Sequence, residues 1–155
     1  MIVLRYSGLI LGIFFLISCQ EVSEPTAEVA RIELVRSQDD TIQIVGRNLP
    51  KDVAATQFEM IVQSEASFTV TEAQSPHDLP LDSVQALQSG RNRARFFIGD
   101  KRGIRLRQDG LLASFRLLRT SSGDQNGRIR IESLKMADEN GQLISVETGP
   151  SILIQ

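Results

Sequence analysis

The 155-residue chain has one cysteine, one histidine, one tyrosine and no tryptophan. Each scarcity excludes something. Cys19 alone cannot form an intrachain disulfide, and one thiolate cannot complete a tetrahedral zinc site built on several. His77 lies beside Asp78 in a proline-rich stretch. A hydrolytic triad needs an imidazole held by a carboxylate that faces it, and neighbours in a loop do not provide that. No enzyme activity, catalytic residue or cofactor is expected. The tyrosine, Tyr6, is close to the N-terminus, so the rest of the chain lacks the Trp or Tyr faces that usually stack on sugars. Polysaccharide is therefore a disfavoured ligand. The formal charge of −2 gives no electrostatic reason to expect nucleic acid. Asp39-Asp40 and Asp138-Glu139 fall where turns are expected, and acidic side chains there cap backbone amides. Neither has EF-hand spacing, so no metal site is expected. With 41% hydrophobic residues and 23% charged, the chain is too apolar to be disordered.

Long apolar runs are also scarce. The longest, Leu9–Ile17, would span about 14 Å as a helix, against roughly 30 Å of bilayer hydrocarbon. Arg5 precedes it and small residues follow, which is the layout of a cleavable signal. Leu16-Ile17-Ser18-Cys19 resembles the lipobox of bacterial lipoproteins, in which the cysteine takes a diacylglycerol and the chain is cut before it. The resemblance implies a leader over residues 1–18 and lipid attachment at Cys19, with two or three acyl chains anchoring firmly where one would not. Gln20, in place of the Asp of an inner-membrane retention signal, favours the outer membrane where there is one. Residues 19–28, polar with Glu21, Glu24 and Pro25, read as a tether.

From Ala30 onward apolar residues recur with period two. Ile32 and Leu34, Ile42 and Ile44, Phe58, Met60 and Val62, Phe68 and Val70, Ala94, Phe96 and Ile98, and Ile129 and Ile131 alternate with polar partners. Leu111, Ala113, Phe115 and Leu117 are expected to share the core face. Turn residues separate these runs, and Asn140-Gly141 is a strong hairpin signal. The pattern predicts one all-β domain over 29–155, two antiparallel sheets packed face to face. Pro76–Gly90 is the exception. Asp82–Gln88 is expected to make one or two helical turns with Gly90 as the stop, in the longest non-strand segment.

The segment Phe58–Val146 is similar to cohesin modules, which are jelly-roll β-sandwiches related in fold to some carbohydrate-binding modules. Phe58–Val62 resembles a family strand, although Gln63-Ser64 replaces the Tyr-Asp turn that follows it there. Ala66–Thr71 and Arg93–Ile98 resemble two further strands. Asp109–Leu117 matches a family pattern of Asp-Gly followed by alternating apolar residues ending in Phe, and Ala137–Gly141 resembles a late hairpin. The resemblance implies a jelly-roll fold and, by analogy alone, a dockerin partner, with no contact residue carried over.

One charge feature stands out. Arg91, Arg93, Arg95, Lys101, Arg102, Arg105 and Arg107 face Asp100 as the sole acid between Arg91 and Arg107. Arg91, Arg93 and Arg95 share one strand phase, and Arg105 and Arg107 another. Like charges on neighbouring strands repel. They persist when carboxylates such as Glu59 or Glu132 pair with them, or when an anionic partner does. These five arginines are the candidate face for a protein partner, and their charge suits an acidic one. The expected function is a lipid-anchored, non-enzymatic binding module of the cell envelope. The alternatives are an envelope carbohydrate binder and a structural or assembly lipoprotein of a secretion or envelope complex.

Overall fold

A computed structural model describes residues 29–37, 40–123 and 126–154; the leader and the whole tether, Cys19 included, lie outside the described residues. Within it the strands are β1 (Arg31–Arg36), β2 (Thr41–Arg47), β3 (Val53–Gln63), β4 (Phe68–Gln74), β5 (Ser83–Gly90), β6 (Arg93–Gly99), β7 (Gly110–Arg119), β8 (Gly127–Asp138), β9 (Leu143–Ile144), β10 (Glu147–Thr148) and β11 (Ile152–Ile154). One sheet runs β10-β1-β2-β7-β4 and the other β11-β8-β3-β6-β5, with β9 beside β8. The fold is the all-β, two-sheet sandwich that the alternation predicts, of the jelly-roll kind that the cohesin resemblance implies. Neighbouring strands are antiparallel, apart from the parallel pair β1–β10.

The period-two residues explain why these segments pair. Ile32 and Leu34 of β1, Ile42 and Ile44 of β2, Phe58, Met60 and Val62 of β3 and Ala94, Phe96 and Ile98 of β6 are all buried in one core. At its centre Phe58 stacks on Phe96, centroids 5.1 Å apart, and Phe96 meets Phe115 at 4.9 Å and a 49° tilt. Such ring pairs add roughly 0.5–1.5 kcal/mol beyond the area they bury. In β8 the alternation is rephased by a bulge. Ser133 has φ 52°, and the register jumps from Glu59↔Glu132 to Gln57↔Lys135. Ile129, Ile131 and Met136 thereby all reach the core, with two residues opposite Phe58 on the bulged strand.

Two expectations need correcting. Asp82–Gln88 is not helical: Ser83–Gly90 is β5, paired with β6 from Ser83↔Gly99 to Gly90↔Arg93. Val84 and Ala86 pack against the core while Gln85 and Leu87 are exposed, so the short segment obeys a strand period that overrides its weak helical propensity. Irregular backbone is confined to the stretch before it, where buried Leu79 and Leu81 plug the end of the core. In β7 it is Leu112, not Leu111, that is fully buried. The β2–β7 register passes from Ile44↔Ala113 to Val45↔Leu111, and this bulge turns Leu112 inward. The run Leu143–Val146 splits. Leu143-Ile144 stays on β8, and the chain then crosses to the other sheet, where Glu147 pairs with Arg31. The Asn140-Gly141 hairpin forms, with Gly141 at φ 79° and Asp138 Oδ1 accepting the amides of Asn140 and Gln142, each at 2.8 Å.

Candidate functional site

The outer face of the β8-β3-β6-β5 sheet is built in rows fixed by register. Gln85, Phe97, Gln57 and Lys135 form one row; Leu87, Arg95, Glu59 and Glu132 the next; Arg93, Ile61 and Arg130 a third. Ala55 and Ala137 stand opposite each other beyond the first row. Small residues there leave a hollow of about 200 Å³ lined by Ala55, Gln57, Phe97, Lys135, Ala137 and Leu143, among others. Phe97 is 40% exposed and Leu143 74%. Phe97 thus projects from the sheet, in opposite phase to core residue Phe96.

The third row explains an outward isoleucine that is nonetheless buried. Ile61 is 7% exposed and lies outside the core cluster, between Arg93 and Arg130. Arginine stems lie along apolar surface while their heads stay wet, so the two stems shield it. Arg93 Nη1 pairs with Glu59 Oε2 at 3.1 Å, Ser89 Oγ donates to Glu59 Oε1 at 3.2 Å, and Arg130 pairs with Glu132. Arg95, Arg128 and Lys135 make no ion pair among the described residues. The face thus has an apolar hollow at one end and a partly compensated basic field at the other.

The five candidate arginines do not form one cluster. Arg93 and Arg95 lie on this face. Arg91 sits in the turn before β6 and donates to Ser67 Oγ (3.1 Å) and the Glu65 carbonyl (2.7 Å). Arg105 and Arg107 belong to the irregular segment between β6 and β7, which crosses from one sheet to the other. Its anchor is buried Leu106, whose amide donates to the Val53 carbonyl at 2.8 Å. On either side, Arg105 pairs with Glu139 at 2.7 Å and Arg107 with Asp78 at 2.9 Å. The shared phase of Arg105 and Arg107 was legible. That their segment is a crossover at the Gly99 end, remote from Arg93, was not.

Two residues that sequence reasoning passed over hold the rim in place. The Asp100 side chain is fully covered. It accepts Arg102 Nη2 (2.6 Å) and Nε (3.1 Å), the Arg102 amide (2.7 Å) and the Asp82 amide (3.0 Å). The Arg102 guanidinium, first among these donors, holds its carboxyl far below the usual carboxylate range. Asp82 Oδ1 in turn accepts the Lys101 amide at 2.9 Å. Asn92, at φ 58° and 7% exposed, accepts the Phe68 amide and donates to the carbonyls of Ala66 and Ser64. Its only sequence signal is a position between two strands, where Asn tolerates the left-handed region. His77 is exposed, and its neighbour Asp78 turns to Arg107, which lowers the Asp78 carboxyl from its ordinary value. Among the described residues no three His, Cys, Asp or Glu side chains gather as a metal site would require.

No protein-family model matches the chain, and no curated protein matches it in sequence. Solved structures do resemble it. The seventh type I cohesin of ScaB from Pseudobacteroides cellulosolvens superposes with a TM-score of 0.61 at 12% identity, covering 81% of this chain and 90% of that one. The cohesin module of a family 33 glycoside hydrolase from Clostridium perfringens gives 0.61 at 14%, over 82% and 96%. A type I cohesin–dockerin complex from Clostridium thermocellum gives 0.60 at 15%, over 77% and 94%. At these identities the likeness is one of fold: the chain has a cohesin-like β-sandwich.

Proposed function

We propose that this protein is a non-enzymatic protein-binding module, and that it engages its partner through the outer face of the β8-β3-β6-β5 sheet. The observation that carries this reading is the meeting, on one surface, of the hollow around Phe97 and Leu143 with Arg95, Arg128 and Lys135, which make no ion pair among the described residues. Interface cores favour aromatic residues and arginine. An exposed phenylalanine beside a hollow supplies an anchor point, and the surrounding cations favour an acidic partner by steering and register. Similar solved modules are recorded in complex with dockerins, which supports a protein partner and makes dockerin modules the first probes. Arg93 and Arg95 belong to this face. Arg91, Arg105 and Arg107 contribute to the field around it. Lipid attachment at Cys19, with the domain held at the cell envelope by residues 19–28, completes the proposal and rests on the lipobox resemblance alone.

The test is binding of the full chain to dockerin modules and to acidic proteins, with Arg95→Glu and Phe97→Asp as variants. Loss of binding by both at unchanged melting temperature supports the face. Full binding by both sinks it. Mass spectrometry of protein made in a bacterial host, showing an unmodified Cys19 or a retained Met1, would remove the lipid anchor.

A further inference from the structure

In two strands the core-facing phase ends on a charge. In β1 it runs Ile32, Leu34, Arg36, and in β7 Ala113, Phe115, Leu117, Arg119. β1 and β7 run the same way, each antiparallel to β2 between them, so both arginines arrive at the same end of the sandwich. They rim a cavity of about 290 Å³. Its walls are Ile42 of β2, Leu117 of β7, Phe68 of β4, which stands opposite Arg119, and Ile154 from the other sheet. Ile42 and Ile154 are buried, and Phe68 and Leu117 are half-buried. None of these residues belongs to the outer face of the β8-β3-β6-β5 sheet.

The charges at the rim are unequal. Arg36 pairs at 2.6 Å with Asp40, the one acid in the lining. Arg119 makes no ion pair among the described residues. Its Nε and Nη2 donate instead to the Ser121 and Gly123 carbonyls at 2.7 and 2.8 Å. Two neutral acceptors thus hold the guanidinium in place without cancelling its charge, and leave further N–H groups of its fork to donate. Arginine forks match carboxylates, and apolar walls take a hydrocarbon body. Two arginines against one aspartate leave a single positive charge in the lining, which suits a monoanion. The volume is at the small end of ligand pockets, too little for a two-chain lipid. We propose that this end of the sandwich binds a small amphipathic monocarboxylate of the medium-chain fatty-acid class, its carboxylate on Arg119 and its chain against Phe68, Leu117 and Ile42.

The full chain carrying Cys19→Ser, which removes any acyl group of its own, is labelled at its Ile and Leu methyls and titrated with octanoate in detergent-free buffer. Saturable NMR shifts of Ile42, Leu117 and Ile154 are expected, with a dissociation constant of about 1 mM or below. The exposed Leu87 and Leu143 stay where they are. Octanol, which lacks the charge, and acetate, which lacks the chain, bind at least about tenfold more weakly. Arg119→Met keeps an apolar stem and weakens octanoate at least about tenfold, whereas Arg95→Met, on the outer sheet face, changes nothing. Melting temperature checks that Arg119→Met folds without its two carbonyl bonds; where it does not, the octanoate-to-octanol ratio of the parent decides. No saturable shift up to about 10 mM, equal affinity for octanol, or a folded Arg119→Met that binds octanoate as the parent does overturns the site. Shifts spread equally over Leu87 and Leu143 show adsorption of the chain to any apolar surface, and overturn it too.

Discussion

The side-chain amide of Asn92 takes the Phe68 amide at 2.8 Å on its oxygen and gives a hydrogen bond to the Ala66 carbonyl at 2.8 Å from its nitrogen. One side chain ahead of β6 thus fixes the start of β4 in the opposite sheet, while the Asn92 carbonyl accepts the Val62 amide of β3 at 2.8 Å. Asn92→Ala leaves a buried donor and acceptors unmet and puts a Cβ residue in the left-handed region with no local compensation. Unmet buried groups cost about 1–3 kcal/mol each and the backbone about 1–2. A loss of roughly 3 kcal/mol is expected in urea unfolding. Asn92→Asp should be nearly as damaging, since it sets a carboxylate against two carbonyl oxygens.

The Asp100 carboxylate carries a sign that can be measured against pH. Its folded pKa is depressed by Arg102 and two backbone amides. Its stabilising contribution is therefore fully present above the unfolded-state value near 4 and is lost as pH falls below that toward the folded value. Melting temperature should decline below about pH 4 more steeply in the parent protein than in Asp100→Asn. The variant should also be less stable at neutral pH, having lost the charge-assisted bonds. Parallel pH profiles of the two would contradict this account.

Arg95→Glu and Phe97→Asp alter exposed side chains and should change stability by no more than about 0.5 kcal/mol. Arg105→Glu and Arg107→Glu break exposed ion pairs, which are worth about 0–1 kcal/mol. The two sets separate the sheet face from the crossover. Partner affinity should fall at least tenfold in the first and change less than about threefold in the second. The reverse order would move the contact surface to the Gly99 end of the sandwich.

Phe96 is fully buried between Phe58 and Phe115. Phe96→Ala opens a cavity that a rigid two-sheet core closes poorly, at a cost of about 3–5 kcal/mol. That is a large share of a typical domain's stability. Chemical denaturation should show a correspondingly early midpoint or no folded baseline.

Much of this sandwich is legible in the alternation, because a strand that buries one face must repeat every two residues. Phe58-Met60-Val62 and Ala94-Phe96-Ile98 show it without interruption, and the core is where they place it. The failures sit where the period breaks. The β2–β7 bulge moves Leu112 into the core and Leu111 out of it, and nothing in Leu111-Leu112 distinguishes the two. β5 escaped because Ser, Gln and Gly dominate an edge strand that buries little. The candidate face was half legible. Arg93, Arg95 and Phe97 share a phase that one strand reveals. The hollow needs Ala55 of β3 and Ala137 of β8 beside Phe97, a convergence that only register shows.

The parallel contact of Arg31 with Glu147 sets a timetable for folding. β1 opens the domain, yet its outer edge waits for β10, far later in the chain, and Ile154 enters the same core later still. Loop closure of that length precedes its reward. A chain emerging N-terminus first therefore carries an unfinished β1 edge until β10 arrives.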